Sequence, residues 1–339
     1  MKKLKIGVIG AGRIGKVHVA TLAVSVPEAE IIAITDTDKS EATKLAETYG
    51  IKIIAKDYKE IIENPEIDAV VICSPTDTHA KYIVEAAKAG KHIFCEKPVD
   101  LSLEVIQNAL DVVEKAGVKL MVGFNRRFDS NFMKMKLMVD EGKVGLPHIL
   151  KITSRDPAPP PAKYSAVSGG MFLDMTIHDF DMARYIVGSE VTEVYTKATV
   201  LVDPEIGKAG DVDTAIITLT FANGAIGVID NSRKAVYGYD QRLEIFGSKG
   251  MVNVDNNYPE NHRHYSADGV HKSLPLNFFM DRYTEAYANE MKAFCKALST
   301  NSKLPVTGKD GLISVAIALA AKKSYLENRP VKMDEFIKY

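Results

Sequence analysis

The chain begins KIGVIGAGRIG: a short apolar, β-type run followed at once by Gly10-Ala11-Gly12-Arg13-Ile14-Gly15 and then by a helical stretch. No other segment restricts the fold as strongly. Gly10 permits a tight turn, Gly12 removes the side chain where an anion must approach the backbone, and Gly15 lets a helix pack closely on the preceding strand. The N–H groups and dipole at the start of that helix favour negative charge. A lone GxGxxG is a weak signal. A strand before it and a helix after it are the context that gives it meaning.

The residues up to about 145 supply more of that context. The β-type runs KIGVIG, EIIAIT, KIIA, AVVICS, KHIFC and KLMVGF alternate with SEATKLAETYG, DYKEIIEN, HAKYIVEAAKAG and LEVIQNALDVVEKAG, several of which stop at glycine. Such alternation predicts a doubly wound parallel sheet, a Rossmann-type α/β domain. The second run ends at Asp36, 21 residues beyond Gly15, the spacing of an acid that accepts hydrogen bonds from an adenosine ribose. A carboxylate there suits the 2′-hydroxyl of NAD and repels the 2′-phosphate of NADP. TDTDKS offers no arginine to hold that phosphate, so NAD is the expected cofactor. The alternative is that Asp36 merely caps the next helix, a task for which Asp38 and Ser40 are better placed. Ligands of this fold bind beyond the carboxyl ends of the strands. That puts Ser74, Pro75, Thr76 and His79, and the CEKPVD loop with Lys97, at the cofactor edge. His79 reads equally as an exposed residue of the next helix, and Lys97 as an ordinary loop lysine.

Composition narrows the function classes. A chain of 339 residues is long for one core, so two domains are expected, 1–124 and 125–339. A formal net charge of −1 argues against nucleic acid or an anionic membrane as the main partner. Three unevenly spaced cysteines, Cys73, Cys95 and Cys295, read as buried thiols in a reducing compartment, and no metal site is expected. His262 and His264 read as a solvated loop. The first apolar run is short and ends at Arg13, unlike a signal peptide, and GLISVAIALAAKK is shorter than the roughly 20 apolar residues of a span. The expectation is a cytoplasmic protein.

Beyond residue 145 the pattern changes. LPHILKITSRD reads as a strand, PAPPPAKY as a proline-rich loop, and GGMFLDMTIHDFDMARYIVG as one helix stopped by Gly188. Long β-type runs follow, two of them joined by Asn223-Gly224, a strong hairpin signal. AIITLTF and AIGVIDN are apolar on both alternating faces, which predicts a sheet covered on both sides. Two helices, about 281–299 and 308–328, close the chain.

With GAGRIG, Glu96-Lys97-Pro98 and GGMFLDMTIHDFD together, the chain resembles the glucose–fructose oxidoreductase, inositol dehydrogenase and MocA superfamily over nearly its whole length. GFNRRFD, SRDPAPPP, DNSRKAVYGYDQR and DRYTEAYANEMKAF look most like the myo-inositol 2-dehydrogenase branch. The resemblance implies a largely antiparallel, open-faced second sheet, α+β in class, that forms an oligomer contact, expected as a homotetramer, and terminal helices that return to the first domain. It adds Glu96 and Asn125 to the cofactor side. It gathers Lys97, Asp174 and His178 around one substrate, with Arg127, Asp156 and Tyr237 as further hydrogen-bonding candidates. Each of these last three has a structural alternative: an ion pair for Arg127, a turn cap for Asp156, loop packing for Tyr237.

Asp174 and His178 stand four apart in a run apolar around most of its circumference, with Asp181 and Tyr185 extending their stripe. An internally satisfied pair is the alternative to a ligand-facing one. The implied reaction oxidises a secondary ring alcohol to a ketone, with hydride passing to NAD. His178 suits the general base, Asp174 orients it or binds a hydroxyl, and Lys97 stabilises the alkoxide. A relative acting on another cyclitol or sugar and a non-enzymatic NAD-binding sensor are the competing readings.

Overall fold

The computed structural model describes residues 3–161, 164 and 168–338. They divide into two compact units, Met1–Phe128 with Glu285–Ile313, and Asp129–Thr284 with Ser314–Tyr339.

In the first unit the six expected runs become β1 (Leu4–Ile9), β2 (Ala29–Thr35), β3 (Ile53–Ile54), β4 (Ala69–Ile72), β5 (His92–Glu96) and β6 (Leu120–Gly123), in the order β3-β2-β1-β4-β5-β6. Every pairing is parallel. The order reverses at β1, so the carboxyl ends of β1 and β4 flank a crevice. Helices cover both faces, which is why all four residues of β4 are buried. The helices begin and end for local reasons. Asp38, Asp57 and Ser102 cap the starts of Lys39–Tyr49, Tyr58–Glu63 and Leu103–Ala116, and Gly50 and Gly117 close two ends in the left-handed region. Helix Thr284–Ser299 adds Tyr287, Met291 and Phe294 to this core, and Phe294 meets Phe94 edge-on.

The second unit holds a seven-stranded sheet, β12-β11-β7-β10-β9-β8-β15. Its strands are β7 (Pro147–Arg155), β8 (Val191–Thr199), β9 (Thr214–Phe221), β10 (Ile226–Ser232), β11 (Asp240–Gly247), β12 (Gly250–Val254) and β15 (Val331–Lys332). All pairs are antiparallel except β7 with β10. Asn223-Gly224 lies in the turn from β9 into β10, with Gly224 at positive φ. Ala215, Ile217, Leu219 and Phe221 face inward, and helix Ile177–Val187 packs on β7.

On the outer face of the sheet Ile216 of β9, Ile226 of β10, Phe246 of β11 and Met251 of β12 are exposed within the single chain, because burial alternates with the side-chain period of a strand. Two expectations need correction. The segment near His262 and His264 is not a loop. Arg263–Ser266 (β13) pairs with Gly269–Lys272 (β14) in an exposed hairpin. The single helix expected after Gly169 is two, Gly170–Asp174 and Ile177–Val187. Ala162 and Lys163 of the expected PAPPPAKY loop lie outside the described residues. Among the described residues no helix is long and apolar enough to cross a membrane.

Candidate active site

At the end of β1, Gly10 has φ +109°, and a Cβ there would stand 2.6 Å from the carbonyl carbon and oxygen of Cys73. A Cβ on Gly15 would stand 2.2 Å from the Gly10 oxygen, whereas nothing lies within 4 Å of one on Gly12. The loop is therefore walled by main chain at two glycines and open at the third. Gly12 is the N-cap of helix Arg13–Ser25, whose first turn carries no acid. Arg13 is exposed, Ile14 half-buried and Ala11 buried. Open space in front of unshielded helix N–H groups is what a pyrophosphate requires, so the residues fit a dinucleotide.

Asp36 follows β2 and is tied to this loop. Its Oδ2 accepts from Ala11 N at 2.5 Å and its Oδ1 from Asp38 N at 2.8 Å. Capping falls to Asp38, whose Oδ1 accepts from Ser40 N at 3.0 Å. Asp36 is thus free of the helix-cap role and stands beside the glycine turn, where a ribose next to the pyrophosphate would lie.

Ser74, Pro75 and Thr76 follow β4, with the Ser74 and Thr78 hydroxyls 2.6 Å apart. His79 is neither an exposed helix residue nor a side chain open to ligand. It is buried, with Nδ1 2.8 Å from the Pro98 carbonyl and Nε2 2.7 Å from that of Ser74. It ties the loop after β4 to the loop after β5. Lys97 is half-buried in that second loop between buried Glu96 and Pro98. Asn125, 4% exposed, opens a 3-10 turn after β6. Two residues on, Arg127 directs Nη2 to Asp310 Oδ1 at 2.9 Å and Nη1 to the Pro305 carbonyl at 3.3 Å, so the ion-pair alternative describes these contacts.

The second unit carries the acid and the imidazole. From Gly170 to Ala183 every residue is buried except Asp174 and His178, which are half-buried. They do not share one regular helix. The Met171 carbonyl accepts from both Met175 N (3.0 Å) and Thr176 N (2.9 Å), widening the turn between them. The cause lies far along the chain. Thr176 Oγ1 bonds Asn231 Oδ1 at 2.7 Å, and Asn231 Nδ2 donates to Asp179 Oδ2 at 3.0 Å and to the Ser154 carbonyl at 3.1 Å. Asp181, expected to extend the accessible stripe, is fully buried, while Tyr185 remains half-buried.

Sequence reasoning missed Arg233. Its guanidinium is buried and points Nη2 at Asp174 Oδ2 (3.4 Å) and Nη1 at Asp156 Oδ2 (3.2 Å). Burial works against its charge, but the Asp174 and Asp156 carboxylates outweigh that and raise its pKa. The Tyr164 hydroxyl donates to Asp174 Oδ1 at 3.2 Å. Arg233 thus brings Asp156 beside Asp174, as sequence alone did not indicate. Tyr237 is part of another network, its hydroxyl 2.6 Å from Asp240 Oδ2 and 3.0 Å from Arg155 Nη1. Burial and the Asp240 carboxylate raise its pKa. A signal for Arg233 existed: counted in twos from Ile229 and Asn231, it falls on the inward face of β10 continued, where a charge needs partners.

Residues 4–124 match the oxidoreductase family with an NAD-binding Rossmann fold, and residues 132–253 match the GFO/IDH/MocA C-terminal domain. The chain is 53% identical to the uncharacterized oxidoreductase YrbE of Bacillus subtilis, covering 98% of this chain and 97% of that one. It is 50% identical to the myo-inositol 2-dehydrogenase of Thermotoga maritima, covering 98% and 100%. Among solved structures, scyllo-inositol dehydrogenase from Lactobacillus casei with bound NAD(H) and scyllo-inositol superposes with a TM-score of 0.92 at 31% identity, covering 98% and 100%. With its glycine loop and Asp36 on one unit and its accessible acid and histidine on the other, the chain belongs to the GFO/IDH/MocA family of NAD-binding oxidoreductases.

Proposed function

We propose that the protein oxidises myo-inositol to the corresponding ketone with NAD, and that Lys97, Asp174 and His178 act on the substrate. The observation that carries this reading is the exposure pattern of residues 170–183: an acid and an imidazole alone remain accessible in a buried run. Side chains that polar are retained in such a run to meet a ligand, and the Thermotoga maritima relative at 50% identity is a myo-inositol 2-dehydrogenase. Bound NAD supplies the hydride acceptor. His178 takes the hydroxyl proton as general base. Asp174, held by Arg233 and Tyr164, orients the imidazole or accepts from a ring hydroxyl. Lys97 donates to the reacting oxygen and offsets its growing negative charge. Asp156 and Tyr237 accept and donate hydrogen bonds to the remaining hydroxyls, and Arg127 is the third candidate for that task.

The same reading includes a homotetramer formed through the exposed sheet face. Ile216, Ile226, Phe246 and Met251 make that face unusually apolar for a surface. Three unpaired cysteines suit the reducing cytoplasm. The test of substrate is NADH absorbance across a panel of inositols and aldoses. Myo-inositol should give the highest kcat/KM, and an aldose that outpaces every inositol would overturn the assignment.

A further inference from the structure

Three polar side chains are buried inside the first unit, and the chemistry above uses none of them. His18, 0% exposed, lies on the helix that starts at the glycine loop. Its Nε2 is 2.6 Å from Glu96 Oε1. The ring is wedged edge-on against Phe94 at 5.0 Å and Tyr287 at 5.6 Å. Nδ1 has no hydrogen-bond partner among the described residues, so the tautomer that fits is Nε2–H donating to the carboxylate. Glu96 is the last residue of β5 and the covalent neighbour of Lys97. Its side chain lies over its register partner Gly123, where a Cβ would stand 3.1 Å from the carboxyl carbon. Glu290, on helix Thr284–Ser299, is 0% exposed, and neither carboxyl oxygen has a hydrogen-bond partner among the described residues.

A second ionised carboxylate in this setting would be both desolvated and unpaired, which a folded chain avoids by keeping the proton. Burial first, and the nearby Glu96 charge second, push the Glu290 carboxyl well above the usual range. Glu96 is therefore the one negative charge of the cluster, and His18 is its donor.

We propose that His18 and Glu96 are positioning residues for Lys97: their buried hydrogen bond fixes the end of β5 against the helix of the glycine loop, so that the lysine and the dinucleotide site keep one geometry. This rests on the proposed role of Lys97, and the test separates the two. Lysines of the full-length protein are reductively methylated with ¹³C-formaldehyde, and the Lys97 resonance is assigned by its loss in Lys97→Arg. In Glu96→Gln and in His18→Leu that resonance should shift and change its titration. His18→Gln, which keeps a donor near the Nε2 position, should restore it. Turnover of inositol should fall about tenfold or more in the first two, as expected for a displaced catalytic group, with the KM for NAD little changed. Gly123→Ala, which removes no polar group but crowds the carboxylate, should move the same resonance and serves if Glu96→Gln does not fold. An unmoved Lys97 resonance in folded variants overturns the proposal. A resonance that moves in a protein whose wild type oxidises no inositol refutes the activity and leaves the positioning role standing.

Discussion

Arg233 Nη2 lies 3.4 Å from Asp174 Oδ2, inside a guanidinium site whose other arm holds Asp156. A point charge cannot reproduce the two-armed geometry of this planar fork. Arg233→Met leaves two partly buried carboxylates without their shared cation, which costs about 3 kcal/mol when one side of a buried ion pair is removed. A lowered melting temperature and a lost turnover are expected together. Arg233→Lys should recover most of the stability but little of the turnover. If Arg233→Met matches wild type in both, the clamp is unimportant.

Asp36 should determine the choice of dinucleotide. Its carboxylate stands at the glycine turn, bonded to Ala11 N, where a 2′-phosphate would meet like charge. Wild-type protein should use NAD in strong preference to NADP. Asp36→Ser should raise the KM for NAD and narrow that preference, read from initial rates with both cofactors. Equal wild-type rates with the two would contradict the assignment.

His178→Ala and Lys97→Ala should each lower turnover by roughly 10²- to 10⁴-fold, the range for a positioned acid or base. NAD affinity by fluorescence titration should change little, because neither substitution touches the glycine loop or Asp36, the residues that fit the dinucleotide. The deficit of His178→Ala should shrink at high pH, where hydroxide can take the proton. Near-normal turnover of His178→Ala at neutral pH would make the pair structural.

The exposed sheet face gives a prediction on assembly. Ile216 is 47% and Ile226 54% exposed, and the two sit on the adjacent strands β9 and β10. Replacing both with lysine places charge on a face that the tetramer would bury. Light scattering should show the wild type as an oligomer and the double variant as smaller species with an unchanged circular-dichroism spectrum. A wild-type monomer at micromolar concentration sinks the idea.

What the sequence made legible was what local sterics decide. Gly10, Gly12 and Gly15 state their spacing and their reason in six residues, and the capping acids and terminal glycines mark most helices of the first unit. The break between Asp174 and His178 was not legible. It depends on Asn231, which meets Thr176 from 55 residues away. His79 was placed at the cofactor edge because strand ends point to the crevice, with an exposed helix position as its alternative, and Arg127 was a substrate candidate by resemblance, with an ion pair as its alternative. The partners that claim them, the Pro98 carbonyl and Asp310, are set by tertiary packing. Glu290 went unnoticed although Tyr287, Met291 and Phe294 put it on the inward stripe of its helix. A charge on such a stripe is the sign to look for.

That buried acid also predicts how stability varies with pH. In the unfolded chain Glu290 loses its proton near the ordinary value of 4.5, whereas burial and the Glu96 charge keep the folded group protonated well above it. Between those two values the native state binds more protons than the unfolded state, so the slope of unfolding free energy with pH is negative. The contribution is most favourable below the unfolded value and is lost as pH rises toward the folded one, by about 1.4 kcal/mol per pH unit at most. The groups that face it are Glu96 and the buried thiol of Cys73, itself pushed up by burial and then by Glu96. Glu290→Gln has no proton to lose, so its melting temperature relative to wild type should rise as pH increases above the ordinary glutamate value. Infrared difference spectra should show a protonated-carboxyl C=O band in the wild type that the variant lacks. A melting difference that stays constant across that range, with no such band, would mean that Glu290 is ionised in the folded protein and that the cluster behind Lys97 holds two negative charges.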